Sequence, residues 1–328
     1  MKKILLSLVT LFAAATSAFA GDIITNGGFE SWTDGACDGW KSTTTASNCT
    51  ITQSTDAHSG NSSVQIPQGT SNNRLGSKEY RLKAGTYTMK AYVKGAGSVS
   101  IGYVPVANYV VLSYAYSDKV TTKADGWTEV TNEFTLDKDT KVNFVLMNAK
   151  KTGVKLVDDF SVTTEDGGLA EEPTAFAAEG EGTLESPYNS VAANKAALEL
   201  ASGATATSEV YVKGIVHVIN YAYSAKSLSF LISPDGTDNG AFYCFKVTSD
   251  EDPGLKEGDL VVLSGKLTNF RGTPEFAAGA KIVSITTGIS TIAAEANKAQ
   301  VIYGLDGRRL TKAVRGVNII NGKKVIVK

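Results

Sequence analysis

From Ile23 to Val162 the chain is written in short β-branched and aromatic runs parted by Gly, Asn, Asp and Ser, with hardly any helical periodicity. A stretch of that kind buries apolar surface by stacking strands into sheets. Candidate strands are Thr86–Val93, Val99–Tyr103, Tyr109–Tyr116, Glu129–Leu136, Lys141–Met147 and Val154–Val162, and their spacing predicts a two-sheet antiparallel sandwich of jelly-roll type. Residues 167–182, Ala/Glu-rich and poor in large side chains, read as a linker. Beyond it Ser190–Leu200 has a helix-forming composition, and Glu209–Ile219, Ser227–Ile232, Phe242–Val247, Leu260–Asn269 and Glu275–Ile285 supply five strands suited to a small barrel. From Thr287 on, two hairpin patterns turn at Asp306-Gly307 and Asn321-Gly322. The expectation is an all-β chain: a jelly-roll β-sandwich at 21–166, the linker, a five-stranded barrel at 183–286 and a short β tail at 287–328.

The first twenty residues read as a secretory signal, with Lys2 and Lys3 before an apolar run and Ala18-Phe19-Ala20 as the cleavage site. Gly21, not Cys, follows it, which disfavours a lipid anchor, and no later run of about 18 apolar residues offers a membrane span. An extracellular or outer-surface location is expected, with the periplasm as the alternative. With 32 Lys plus Arg against 33 Asp plus Glu, a general electrostatic grip on nucleic acid or anionic membrane is disfavoured as the main activity. Two histidines and three cysteines exclude His-rich and Cys-rich zinc sites. In an exported chain Cys37 and Cys49 have the choice of a disulfide, worth about 3 kcal/mol for so short a loop, or free thiols; Cys244 reads as a buried strand thiol.

No G-x-S-x-G, H-E-x-x-H or phosphate-cradling Gly-rich loop is present. A non-enzymatic protein is expected, although a glycosidase needs only two suitably spaced carboxylates, which sequence does not display.

Three patterns, taken in order, carry a likeness: Asn26-Gly27-Gly28-Phe29-Glu30 with Trp32 and Trp40, Asp56-Ala57-His58-Ser59-Gly60-Asn61-Ser62-Ser63-Val64, and Val157-Asp158-Asp159-Phe160-Ser161-Val162. Together they resemble the jelly-roll carbohydrate-binding modules of families four, nine and twenty-two, within the galactose-binding-like superfamily. Strand alternation places Val154, Leu156, Asp158, Phe160 and Val162 on one face, so Asp158 among apolar neighbours needs a partner. Calcium held by Asp158 and Glu30 with backbone carbonyls is one answer, in line with the structural calcium the resemblance implies; backbone amides capping Asp158, with Glu30 solvated, are the other.

Sugar recognition needs flat aromatic faces for pyranose C–H groups, flanked by amide, carboxylate or guanidinium groups for hydroxyls. Tyr103, Tyr109, Tyr114 and Tyr116 lie in or beside consecutive candidate strands, and Trp40 follows a Gly-rich loop that would present it at a sheet edge. Arg74 and Glu133 are candidate hydroxyl partners. Trp127 and Tyr87 read as core, and His58 as a hydrogen-bonded loop residue.

The second unit, through Glu209–Val216, Lys256–Gly265 and Gly272–Phe276, resembles OB-fold-like modules of secreted Bacteroidales proteins. Acids at Asp235, Asp238 and Asp250–Asp252 crowd its loops, so a spacer or interaction barrel is favoured over a nucleic-acid site. The tail resembles the C-terminal sorting domain of Bacteroidetes exported by type IX secretion, though it is short. The expected function is non-catalytic binding of polysaccharide or oligosaccharide; the alternative is an adhesion or structural surface protein with protein partners.

Overall fold

The computed structural model describes residues 22–41 and 47–287, together with the tail strand residues 302–304, 309–310, 316–320 and 323–327. The signal-like Met1–Ala20 and both tail turns lie outside the described residues.

A two-strand ribbon, β1 (Trp32–Thr33) and β2 (Ala36–Cys37), opens the chain. Then follow β3 (Thr52–Ser54), β4 (Ser63–Ile66), β5 (Asn73–Leu82), β6 (Gly85–Lys94), β7 (Gly97–Ala107), β8 (Val110–Val111), β9 (Ala115–Tyr116), β10 (Val120–Thr122), β11 (Thr128–Leu136), β12 (Thr140–Asn148) and β13 (Lys155–Thr164). They form a jelly-roll sandwich of a five-stranded sheet, β11-β6-β13-β4-β3, and a six-stranded sheet in which β10-β7-β12-β5 is extended by β8 and β9 against β7. Alternation sets the core. On β6, Tyr87, Met89, Ala91 and Val93 point inward and meet Val99, Ile101, Val142, Phe144 and Leu146 of the opposite sheet, all buried.

One expectation about β13 is corrected. Its register against β6 shifts between Asp158 and Ser161, and Asp159 takes a positive φ of 46°, the mark of a bulge that reverses which side chains face in. Lys155 and Val157 point inward before the bulge, Phe160 and Val162 after it, while Val154 is 45% exposed and Leu156 half-buried. Asp158, at the bulge, is fully buried all the same.

In the second unit β14 (Tyr188–Asn189) precedes α1 (Ser190–Leu198), whose first turn is capped by the Asn189 side chain accepting from the Ala192 amide at 2.8 Å. Strands β15 (Val210–Ser224), β16 (Ser227–Ser233), β17 (Phe242–Thr248), β18 (Leu260–Gly265), β19 (Leu267–Phe270), β20 (Thr273–Phe276) and β21 (Lys281–Thr286) follow. The pairs β15–β16, β16–β17, β17–β21, β21–β18 and β18–β15 close a five-stranded barrel in which β17–β21 is parallel. The expected strands Leu260–Asn269 and Glu275–Ile285 are each split, at Lys266 and after Phe276, and the freed piece β19–β20 forms a hairpin under α1. Phe230, Phe242, Phe276 and Leu263 fill the barrel.

The linker begins as an extension of β5: Leu169 bridges Leu82, and the Ala170 amide donates to the Arg81 carbonyl at 2.9 Å. Arg81 then joins the two units, its guanidinium donating to both Asp238 oxygens at 3.2 and 2.6 Å and to Glu172 at 3.1 Å. Asn108 Nδ2 donates to the Ala241 carbonyl at 2.8 Å, beside an apolar contact of Ala107 with Leu231, Ala241 and Tyr243. The barrel thus docks on the sandwich end formed by the β7–β8 and β11–β12 turns. In the tail, β22 (Ile302–Gly304), β23 (Arg309–Leu310), β24 (Gly316–Ile320) and β25 (Lys323–Val327) form one sheet, with the two hairpins joined through β22–β24. Among the described residues no helix is long and apolar enough to cross a membrane.

Candidate functional site

The six-stranded sheet has a second face, turned away from the core, and alternation dictates what it carries. Since Leu75, Tyr80, Phe144, Ile101 and Tyr103 point inward, Arg74, Glu79, Asn143, Val145, Gly102 and Val104 lie outward. Register orders them in rows: Glu79 opposite Asn143 and Asn143 opposite Val104, then Gly76, Val145, Gly102 and Tyr116 side by side, then Arg74 opposite Met147. Gly102 is required here, because a Cβ on it would stand 2.0 Å from the Ala115 carbonyl oxygen. Only a glycine lets β9 lie so close and bring its tyrosines over the sheet.

Tyr114 and Tyr116 stack with centroids 5.5 Å apart and planes 4° from parallel, over Val104 and Val145. The Arg74 guanidinium lies over the Tyr114 ring at 4.7 Å. Burial pushes the Tyr116 phenol up to about 12, the adjacent Arg74 charge opposing the rise. Seven buried side-chain polar atoms among the described residues lack a well-formed hydrogen bond, and four of them belong to this face: Arg74 Nε, Glu79 Oε1, Tyr116 Oη and Asn143 Oδ1. Each such atom left unmet costs about 1–3 kcal/mol, so water or a ligand hydroxyl is called for at each.

Of the candidate sugar-binding residues, then, Arg74, Tyr114 and Tyr116 come together. The others do not. Trp40 is a core residue, 5% exposed, packed on Phe29 at 4.8 Å and Phe160 at 5.0 Å with its indole N–H donating to the Asn26 carbonyl at 3.0 Å; its loop does pair with the edge of β5, but the ring turns inward. Glu133 sits on β11 opposite Thr88, on the outer face of the other sheet. Tyr103 turns to the inner side against Phe134 at 4.3 Å. Tyr109, 39% exposed, is carried to the barrel junction. Trp127 is half-buried outside the sandwich, edge-on to His58 at 5.7 Å, whereas Tyr87 is fully buried as expected of a core residue. Glu79 and Asn143 escaped the sequence reading; the lone amide inside Val142-Asn143-Phe144 was the available signal.

Cys37 and Cys49 are free thiols in this structure, correcting the disulfide. Cys37 belongs to the core cluster and half-buried Cys49 packs against it; Asn26 Nδ2 donates to the Cys37 sulfur at 3.5 Å, Cys49 donates to the Arg74 carbonyl at 3.4 Å, and burial pushes the Cys37 thiol up to about 12.

Asp158 Oδ2 accepts the His58 and Ser59 amides at 2.7 and 3.2 Å, and Oδ1 accepts that of Asp159 at 2.7 Å. Burial raises the Asp158 carboxyl above its ordinary value, opposed by those amides. Exposed Glu30 accepts the Asn61 and Ser62 amides through Oε1 alone, at 2.8 and 3.0 Å. A carboxylate offers about four lone-pair sites, so roughly one remains on Asp158 and two on Glu30 Oε2. Calcium takes about six to eight oxygens, and most would have to be carbonyls or water. Among the described residues no group of three or more His, Cys, Asp or Glu is arranged to hold a metal.

Solved structures similar to part of the chain include the xylan-binding CBM22-1 domain from Paenibacillus barcinonensis Xyn10C, at 14% identity over 44% of this chain and 96% of that one, TM-score 0.36. The C-terminal family 22 carbohydrate-binding module of Clostridium thermocellum Xyn10B follows at 15%, covering 42% and 92%, TM-score 0.33. TmCBM61 in complex with β-1,4-galactotriose follows at 18%, covering 44% and 99%, TM-score 0.31. Among curated proteins none matches. Residues 21–151, which hold both the stacked tyrosines and all four unpaired polar atoms, match the family model described as carbohydrate binding domain.

Proposed function

We propose that the protein is an exported, non-catalytic binder of polysaccharide, and that the chain lies across the outer face of the six-stranded sheet. The observation carrying this reading is the gathering of Arg74 Nε, Glu79 Oε1, Asn143 Oδ1 and Tyr116 Oη, none with a well-formed hydrogen bond, beside the stacked Tyr114 and Tyr116 rings. Donors and acceptors are both represented, which suits hydroxyls, groups that donate and accept at once. Rings next to them supply apolar surface for sugar C–H groups. The family match over residues 21–151 and the signal-like Met1–Ala20 support the same reading.

Affinity electrophoresis on soluble xylans, glucans and mannans tests it. Wild-type protein is expected to be retarded by at least one polymer, and Arg74→Ala or Tyr114→Ala to weaken retention by at least about 1 kcal/mol without loss of fold. Absence of retardation by every polymer would turn the reading toward a surface that binds protein.

Calcium at Glu30, sharing the remaining lone pair of Asp158, belongs to the same proposal. Adding calcium to metal-free protein should raise its melting temperature, by an amount equivalent to about 2.7 kcal/mol at a hundredfold excess over the dissociation constant, and chelation should reverse the gain. A melting curve indifferent to both leaves the backbone amides as the whole of the answer for Asp158.

A further inference from the structure

At the junction of the two units a cleft of about 320 Å³ opens between the β7–β8 turn and the outside of the barrel. Tyr109 stands on the sandwich side; Tyr243, Phe245, Phe270, Thr273 and Glu275 line the barrel side. Register explains the company: Glu275 on β20 lies directly opposite Tyr243 on β17, so both leave the barrel wall on the same side, while the flanking Phe242 and Phe276 go into its core. Phe270 and Tyr109 keep the mouth open, at 55% and 39% exposed.

Glu275 is the anomaly. Its residue is only 6% exposed, and among the described residues neither a hydrogen bond nor an ion pair engages its carboxyl. Burial alone pushes that carboxyl up to about 7. Its oxygens are not among the fully enclosed unpaired atoms, so they open into the cleft, where water or a ligand hydroxyl can meet them.

The charges around it decide what that something is. Lys246 Nζ lies 5.3 Å from the Phe245 ring centre and the Arg271 guanidinium 5.5 Å from that of Phe270, so two rim rings already hold cations. A cationic ligand would meet their repulsion, and an anionic one that of Glu275. A neutral polyhydroxylated ring meets neither: its C–H faces stack on Tyr109, Tyr243 or Phe270, and neighbouring hydroxyls pair with the carboxyl whether it accepts or donates.

We infer that this cleft is a second sugar site, taking a single neutral pyranose ring or chain end, separate from the sheet face and completed by both units of the chain. The inference stands on Glu275 and its ring of aromatics, none of which belongs to the sheet-face site, so it holds or falls apart from the polysaccharide reading.

The test is calorimetric titration of the full chain, signal segment removed, with the methyl β-glycosides of xylose, glucose, mannose and galactose, and with tetramethylammonium chloride. At least one glycoside should bind, and Phe270→Ala and Glu275→Gln should each raise its dissociation constant at least about fivefold. Phe270 is exposed, so Phe270→Ala should retain the wild-type melting curve, and Glu275→Gln, which removes an unpaired carboxyl, should melt no lower than wild type; both curves are measured alongside. Tyr109→Ala, on the other unit, should weaken binding in the same way. Failure of all four glycosides to bind, binding indifferent to all three variants, or preference for tetramethylammonium overturns the site. Polymer retention lost without effect on glycoside titration would instead remove the sheet-face reading and leave this one standing.

Discussion

Trp40→Ala is expected to destabilise the sandwich by about 3–5 kcal/mol, as deletion of a large buried aromatic does, whereas Trp127→Ala should cost about 1 kcal/mol. The two tryptophans have exchanged the roles their sequence settings suggest. Trp40 follows a glycine-rich loop, yet its ring is clamped between Phe29 and Phe160 and its backbone bridges Ser77, while the Lys41 amide donates to the Gly76 carbonyl at 2.6 Å. The loop is therefore an extra rung on the free edge of β5, and its removal would open both the core and that edge. Trp127 is half-buried and meets His58 edge-on, His58 itself lying flat on Tyr92 at 3.8 Å. The chain has three tryptophans, all within residues 32–127, so fluorescence-detected urea unfolding reports on the sandwich without interference from the barrel. A Trp127→Ala midpoint lower than that of Trp40→Ala would contradict this packing.

What the sequence made legible was governed by alternation. Thr86–Val93, Glu129–Leu136 and Lys141–Met147 each alternate or run apolar, and each lies within a strand of the structure that is longer by a residue or so at the ends. β5 was not expected as a strand: Asn73–Leu82 is polar at Arg74, Lys78, Glu79 and Arg81, because it pairs with a single full strand and turns its other face to the candidate site and the barrel. The residues of greatest functional interest thus lie on a strand whose polarity disguised it. The tyrosines are recognisable by type, but type does not say which face a residue takes. Tyr103 and Tyr116 flank the same part of β7 and point to opposite sides of the sheet, and Tyr109 is drawn to the barrel by a docking that no local pattern encodes. Glu133 and Arg74 are each candidates on chemistry alone, and they occupy different sheets. In the barrel the order of strands is local, but its closure through the parallel β17–β21 pair joins residues far apart in sequence.

Asp158→Ala should cost about 3 kcal/mol, with little effect on the polysaccharide affinity of the folded fraction. Three backbone amides converge on this one fully buried carboxylate, two of them from the loop that joins β3 to β4 and the third from the bulge in β13. Its removal leaves those donors to find water or go unpaired, at about 1–3 kcal/mol for each that stays buried. His58 and Ser59 are exposed enough for their amides to be rehydrated, so the cost falls short of three full penalties. Neighbouring Asp159, whose carboxylate accepts the Ser59 hydroxyl at 2.7 Å and pairs with His58 Nδ1 at 2.6 Å, is half-buried and faces solvent. Asp159→Ala should therefore cost about 1 kcal/mol or less. The same urea experiment gives both numbers, and amide hydrogen exchange at His58 and Ser59 identifies the cause, since exchange should quicken in Asp158→Ala far more than in Asp159→Ala. Because this network lies on the five-stranded sheet and the stacked tyrosines lie on the other, a variant that lost stability and polymer retention together, at temperatures where it is fully folded, would mean that the two sheets are coupled and that the sheet-face site extends further than Arg74, Glu79, Asn143 and Tyr116.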